Sequence, residues 1–197
     1  MSAGVVDILR YPSPHEREEN TAWIGMIVFL GSWAMLFAGL FFAYGAVRVT
    51  VHAWPPAGLP RLPLWLPAGN TAVIVASSVA LQAGYGRLRR GARAAPLLFA
   101  TFLLGALFLA LQALLWVEVW RSGLLPNLGP YPSTFWALTA FHALHVAIGV
   151  AALLVLAVGT ARGTYNPARH LAVRLWSMYW HFVGAVWLLL FATVFVF

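Results

Sequence analysis

The sequence predicts an all-α fold, a polytopic membrane protein built as a bundle of five transmembrane helices. Three observations carry that prediction. Hydrophobic residues make up 62% of the 197-residue chain and charged residues only 9%, against roughly 25% charged in soluble domains. The apolar residues fall into five stretches, each near the roughly 20 residues that a helix needs to cross a bilayer. Helix breakers fill the gaps between the stretches.

The first stretch runs from Ala22 to Val47 and ends in Trp54-Pro55-Pro56-Ala57-Gly58, with Pro60, Pro63 and Pro67 beyond it. Proline lacks a donor N–H and breaks a helix interior, so no helix is expected until the second stretch, Ala68 to Gly86. Pro96 suits the first turn of the third, Pro96 to Val119. Pro126, Gly129, Pro130 and Pro132 fill the next connection, and Ser133 or Thr134 is placed to cap the fourth, Ser133 to Thr160. Asn166-Pro167 marks the last loop before the fifth, Arg174 to Phe197. Trp23, Trp54, Trp65, Trp116, Trp120, Tyr165, Trp176 and Tyr179 lie near the ends of these spans, where an aromatic belt is expected. Residues 1–21 form an N-terminal segment and 22–197 a single transmembrane domain.

All 12 basic residues are arginine, and four of the 5 acids precede residue 20. Five spans place the N-terminus and the second and fourth loops on one side. Nine arginines, among them Arg87, Arg89, Arg90, Arg93, Arg162, Arg169 and Arg174, lie there, against Arg48, Arg61 and Arg121 opposite. Arginine excess marks the cytoplasmic side, so the N-terminus is expected in the cytoplasm and the C-terminus outside. A formal charge of +7 on so apolar a chain reflects loop arginines that set orientation, not a nucleic-acid face. Zero cysteines exclude disulfides, iron–sulfur clusters and cysteine nucleophiles.

Polar residues inside a membrane are costly, so the few present are the candidates for function. His142 and His145 are three apart, on one helical face, and His181 is the other deep histidine. A metal or haem site is one reading and neutral histidines joining helices the other. Zinc takes at least three protein ligands, and no carboxylate or cysteine stands near, so no metal ligand and no catalytic residue is assigned. Asn70, Thr71, Ser77, Ser78 and Gln112 suit hydrogen bonds between helices. Small residues recur every fourth position, as Ala34/Ala38, Gly39/Ala43, Ala76/Ala80/Gly84 and Ala143/Ala147/Ala151, fitting close packing within the bundle or docking onto another subunit. Neither carboxylates inside the bundle nor paired broken helices point to a transporter.

Two runs are specific. Thr139-Ala140-Phe141-His142-Ala143-Leu144-His145-Val146-Ala147-Ile148-Gly149 resembles the F-H-x-x-H-V-x-x-G signature of subunit III of the haem–copper respiratory oxidases. Tyr179-Trp180-His181-Phe182-Val183, then Val186-Trp187, is similar to that family's Y-W-H-F-V-D-x-V-W signature. Trp54-Pro55-Pro56-Ala57-Gly58, Asn70-Thr71 and Gln112 match weaker family positions. The resemblance covers roughly residues 20–197 and implies a five-helix form of a subunit with seven helices in mitochondria.

It further implies a chain without haem or copper, those groups belonging to partner subunits. The partners implied are subunit I in direct contact, subunit II and other oxidase subunits, in a bacterial inner membrane. Bound phospholipid is implied as well. His142, His145, Trp180, His181 and Arg174 become candidates for lipid or helix contact, and Trp54, Pro55, Asn70, Thr71, Gln112 and Trp187 structural positions. Three family carboxylates are replaced here, by Trp33, Leu115 and Gly184, so no proton-handling role carries over. Related five-helix subunits accompany quinol oxidases and nitric oxide reductases as well as cytochrome c oxidases.

Overall fold

The structure, a computed structural model, describes residues 13–50 and 62–196. It contains helices α1 (Pro14–Thr50), α2 (Trp65–Arg89), α3 (Ala95–Arg121), α4 (Pro130–Ala161) and α5 (Leu171–Leu190), the last running on into a π-helical turn, Phe191–Val196. All five are long and apolar enough to cross a membrane. Among the described residues the only β feature is an isolated bridge between Asn166 and Arg169. Trp54, Pro55 and the rest of their motif lie outside the described residues.

α1 starts earlier than its apolar stretch because the sequence supplies a start signal. Ser13 Oγ accepts from Glu16 N–H at 3.3 Å and Glu16 Oε2 accepts from Ser13 N–H at 2.7 Å. This reciprocal capping box leaves Pro14 at the first helical position, where its missing N–H costs nothing. α2 also starts early, with Pro67 in its first turn. α4 begins at Pro130, so Ser133 and Thr134 do not cap it. Their hydroxyls turn back instead and donate to Gly129 O and Pro130 O at 2.8 and 2.9 Å. Gly129, at φ 127°, holds the cap position.

α2, α3 and α4 pack in sequence, and α5 bridges α4 back to α2, closing a four-helix ring. α1 lies outside the ring against α4 and α5. Only 6% of its membrane-crossing stretch is buried within the chain, against 50% for α4 and for α5. Its outer side carries Val28, Met35 and Phe42, which lipid or another protein must cover.

The small-residue stripes divide. Gly84 is buried where α2 meets Leu97 and Leu98 of α3, and Ala143 is buried in α4. Ala34, Ala38, Gly39, Ala43, Ala76, Ala147 and Ala151 face outward. The glycines packed against a buried indole inside the ring are Gly105 and Gly149, which those stripes omit.

Candidate functional site

The interior is organised around Trp180. Its indole N–H donates to Ser77 Oγ on α2 at 2.6 Å, and the side chain is fully buried. Its ring lies against the bare backbones of α3 and α4. A Cβ built on Gly105 would come 2.8 Å from Trp180 Cη2, and one on Gly149 would come 2.8 Å from Trp180 Cε3 and Cζ3. Two glycines thus form the slot that lets one large ring join all four helices of the ring. Gly149 closes the first of the two signatures and Trp180 belongs to the second. Tyr179, expected at the membrane interface, is instead buried, and its hydroxyl donates to His145 O at 3.0 Å. Neighbouring residues of one signature therefore grip the other twice.

A second layer lies about two turns further along α5. Trp187 Nε1–H donates to Thr71 Oγ1 at 3.0 Å, and that hydroxyl donates to Pro67 O at 2.9 Å. Asn70 Nδ2 donates to Gln112 Oε1 at 3.4 Å, joining α2 to α3. Both residues are buried, and Asn70 Oδ1 and Gln112 Nε2 have no partner. On the other side of the ring, Trp116 Nε1–H donates to Thr139 Oγ1 at 3.1 Å and ties α3 to α4. Without water, helix association in lipid relies on such close packing and hydrogen bonds rather than on the hydrophobic effect.

His142 and His145 sit in an aromatic cage between α1, α3, α4 and α5. The His142 ring lies 5.9 Å from Phe108 and 5.5 Å from Trp187, centre to centre, and neither of its nitrogens makes a hydrogen bond. His145 Nδ1 is 2.5 Å from Phe141 O, which makes it the protonated nitrogen, since a carbonyl can only accept. Trp33, standing where the resemblance places a glutamate, meets the His145 ring edge-on at 3.9 Å between centres, and Phe37 lies 5.2 Å away. Aromatic rings thus surround both histidines. Leu115, at the second replaced position, is fully buried in the core.

His181 is not brought together with these two. It turns to α2, with Nε2 3.4 Å from Gln82 Oε1. There it lines an apolar groove of about 370 Å³ between α2 and α5, with Ser78, Leu188 and Gly184, the third replaced position. Arg174, half-buried, starts α5 at the loop end of the bundle, away from this groove. Among the described residues no three His, Asp or Glu side chains come close enough together to hold a metal ion. Sequence reasoning missed the slot made by Gly105 and Gly149. A glycine in the middle of a membrane helix was the available signal.

Long apolar helices whose buried polar groups mostly join helix to helix define a multi-pass membrane protein with a packed interior. Comparison with known proteins places it more narrowly. The family model for cytochrome c oxidase subunit III matches residues 15–197. Cytochrome c oxidase subunit 3 of Synechocystis sp. is 35% identical over 187 residues, covering 92% of this chain and 78% of that protein. A probable cytochrome c oxidase subunit 3 of Nocardia farcinica is 37% identical over 179 residues, covering 89% and 88%. The Latimeria chalumnae subunit 3 is also 37% identical over 179 residues, covering 87% and 67%. The chain belongs to the cytochrome c oxidase subunit III family.

Proposed function

We propose that this chain is the non-catalytic third subunit of a proton-pumping haem–copper terminal oxidase of the cytochrome c oxidase type. It stabilises the catalytic subunit I and holds phospholipid. In this reading haem and copper reside in the partner subunits I and II, and the complex lies in a bacterial inner membrane with this chain's N-terminus cytoplasmic. The observation that carries it is how the two family signatures are used. Gly149, His145, Tyr179 and Trp180 are engaged with one another, as a scaffold requires. Ala34, Ala38, Gly39 and Ala43 on α1 remain open outside, a surface suited to a neighbouring subunit. His142, His145 and Trp180 then act as helix contacts. His181, beside its groove, and Arg174, near the headgroup level, act toward lipid.

The test is purification of the tagged chain from its native membrane in mild detergent, with an absorption spectrum and identification of what accompanies it. The expected result is a haem-containing partner, with the separately expressed chain colourless. A chain that arrives alone, or that is itself coloured, overturns the proposal.

A further inference from the structure

Asn70 on α2 and Gln112 on α3 face each other with their hydrogen bonding incomplete. Two facing amides can make two reciprocal bonds. These make one, from Asn70 Nδ2 to Gln112 Oε1 at 3.4 Å, longer than the usual length of about 2.9–3.0 Å. Asn70 is 0% exposed and Gln112 1%, and Asn70 Oδ1 and Gln112 Nε2 have no partner. Turning both amides over exchanges the roles and still leaves one donor and one acceptor open. Among the described residues no side chain completes the pair. About one turn to either side, on the same helix faces, lie Leu66 and Ile74 of α2 and Phe108 and Leu115 of α3, all buried and apolar. The Thr71 hydroxyl next to Asn70 already donates to Pro67 O and accepts from Trp187 Nε1–H. A buried amide group left unpaired costs more than an ordinary hydrogen bond gains, so two of them side by side call for a partner.

The chemistry of the open groups defines that partner. A cation is repelled by the Gln112 N–H, and an anion by the Asn70 carbonyl oxygen. What fits is one neutral molecule that accepts one hydrogen bond and donates another, and that is small enough to sit between packed helices. We propose that Asn70 and Gln112 hold a single buried water molecule. Gln112 Nε2–H donates to the water oxygen, and the water donates to Asn70 Oδ1. Two polar partners are enough to retain an enclosed water, and such a bridge is nearly as favourable as a direct bond. The water is then a fixed part of the joint between α2 and α3. It is held by this chain alone, so the proposal does not depend on the oxidase assignment.

The chain contains two glutamines, exposed Gln82 and buried Gln112. The test labels glutamine alone with nitrogen-15 in the full chain, purified in detergent micelles. Nuclear magnetic resonance then reads cross-relaxation between the side-chain amide protons and water. Gln82→Leu removes one pair of signals and so assigns the other pair to Gln112. The Gln112 protons are expected to show a dipolar cross-peak to a long-lived water, opposite in sign to chemical exchange in the rotating frame. Asn70→Leu removes the acceptor and is expected to abolish that cross-peak. A wild-type chain whose Gln112 protons show no dipolar contact with water overturns the proposal. So does a cross-peak that persists unchanged in a folded Asn70→Leu chain, since that water would not be held by Asn70. The wild-type measurement needs no variant at position 70, so a misfolded Asn70→Leu chain leaves the test decisive.

Discussion

Replacing Gly149 with alanine puts a methyl carbon 2.8 Å from Trp180 Cε3 and Cζ3 and 3.2 Å from Tyr179 Cε1. Carbon atoms in contact prefer about 3.5–4.0 Å, so the ring must retreat by about 1 Å. It has nowhere to go. Its far edge already abuts Gly105, and its N–H is held by Ser77 at 2.6 Å. Overpacking of this kind costs about 1–3 kcal/mol. Alanine recovers about 0.5–1 kcal/mol through its better helix propensity, leaving a net loss of up to about 2.5 kcal/mol. Gly184→Ala is the control. There the nearest atoms to the new carbon are Ser78 Oγ at 3.6 Å and Ile74 Cγ1 at 3.8 Å, ordinary contacts. The assay is unfolding of the purified chain in mixed detergent micelles, followed by circular dichroism, for both variants and for Gly149→Ala combined with Trp180→Phe. The smaller ring relieves the clash, so the double variant is expected to lose less than the sum of the singles. A Gly149→Ala chain as stable as Gly184→Ala, or strictly additive losses in the double variant, refutes the idea that the glycine exists to seat the indole.

Three further outcomes follow from the same interior. Asn70→Leu or Gln112→Leu alone strands the other buried amide and is expected to cost about 1–3 kcal/mol, whereas the double variant removes both and costs less than either sum, as an unfolding-based double-mutant cycle would show. His142→Leu nearly keeps the side-chain volume and breaks no hydrogen bond, so detergent stability is expected within about 1.5 kcal/mol of wild type; a loss well above that would mean His142 has a partner the cage does not supply. Gly184→Asp restores a family carboxylate beside Ser78 and the groove near His181, and is expected to yield a chain that still expresses and retains its helical circular dichroism.

Much of the architecture was legible in one dimension. The five spans could be counted because charge is absent from their centres and proline and glycine crowd the gaps. Three helix ends were legible too, although the arginine-glycine and serine-glycine pairs were not read as caps. Gly91, Gly123 and Gly163 each take φ between 72° and 89° and close α2, α3 and α4 with the same paired backbone bonds, an arrangement that glycine adopts without strain. Ser13-Pro14-His15-Glu16 was an equally readable start signal for α1. Spacing misled where it could not tell direction. The alanine stripes mark a face, but only the packing of α1 against α4 and α5 shows that most of that face looks outward. Tyr179 sits near a span end in sequence, yet its azimuth on α5 turns it inward.

The sequence by itself determined the class of fold and the family, because both rest on properties carried along the chain: hydropathy, breaker placement and two ordered motifs. Only the tertiary structure decided what the motifs are for. Gly149 and Trp180 are 31 positions apart and chemically unalike, and nothing local in either implies the other. Their relation is steric, a missing side chain on one helix matched to an indole on another, and such complementarity exists only once the helices are side by side. The same holds for the histidines. Their spacing fits a ligand pair, but the helix crossing sends His181 to Gln82 and leaves His142 among rings, so which groups meet was set by packing and not by sequence order.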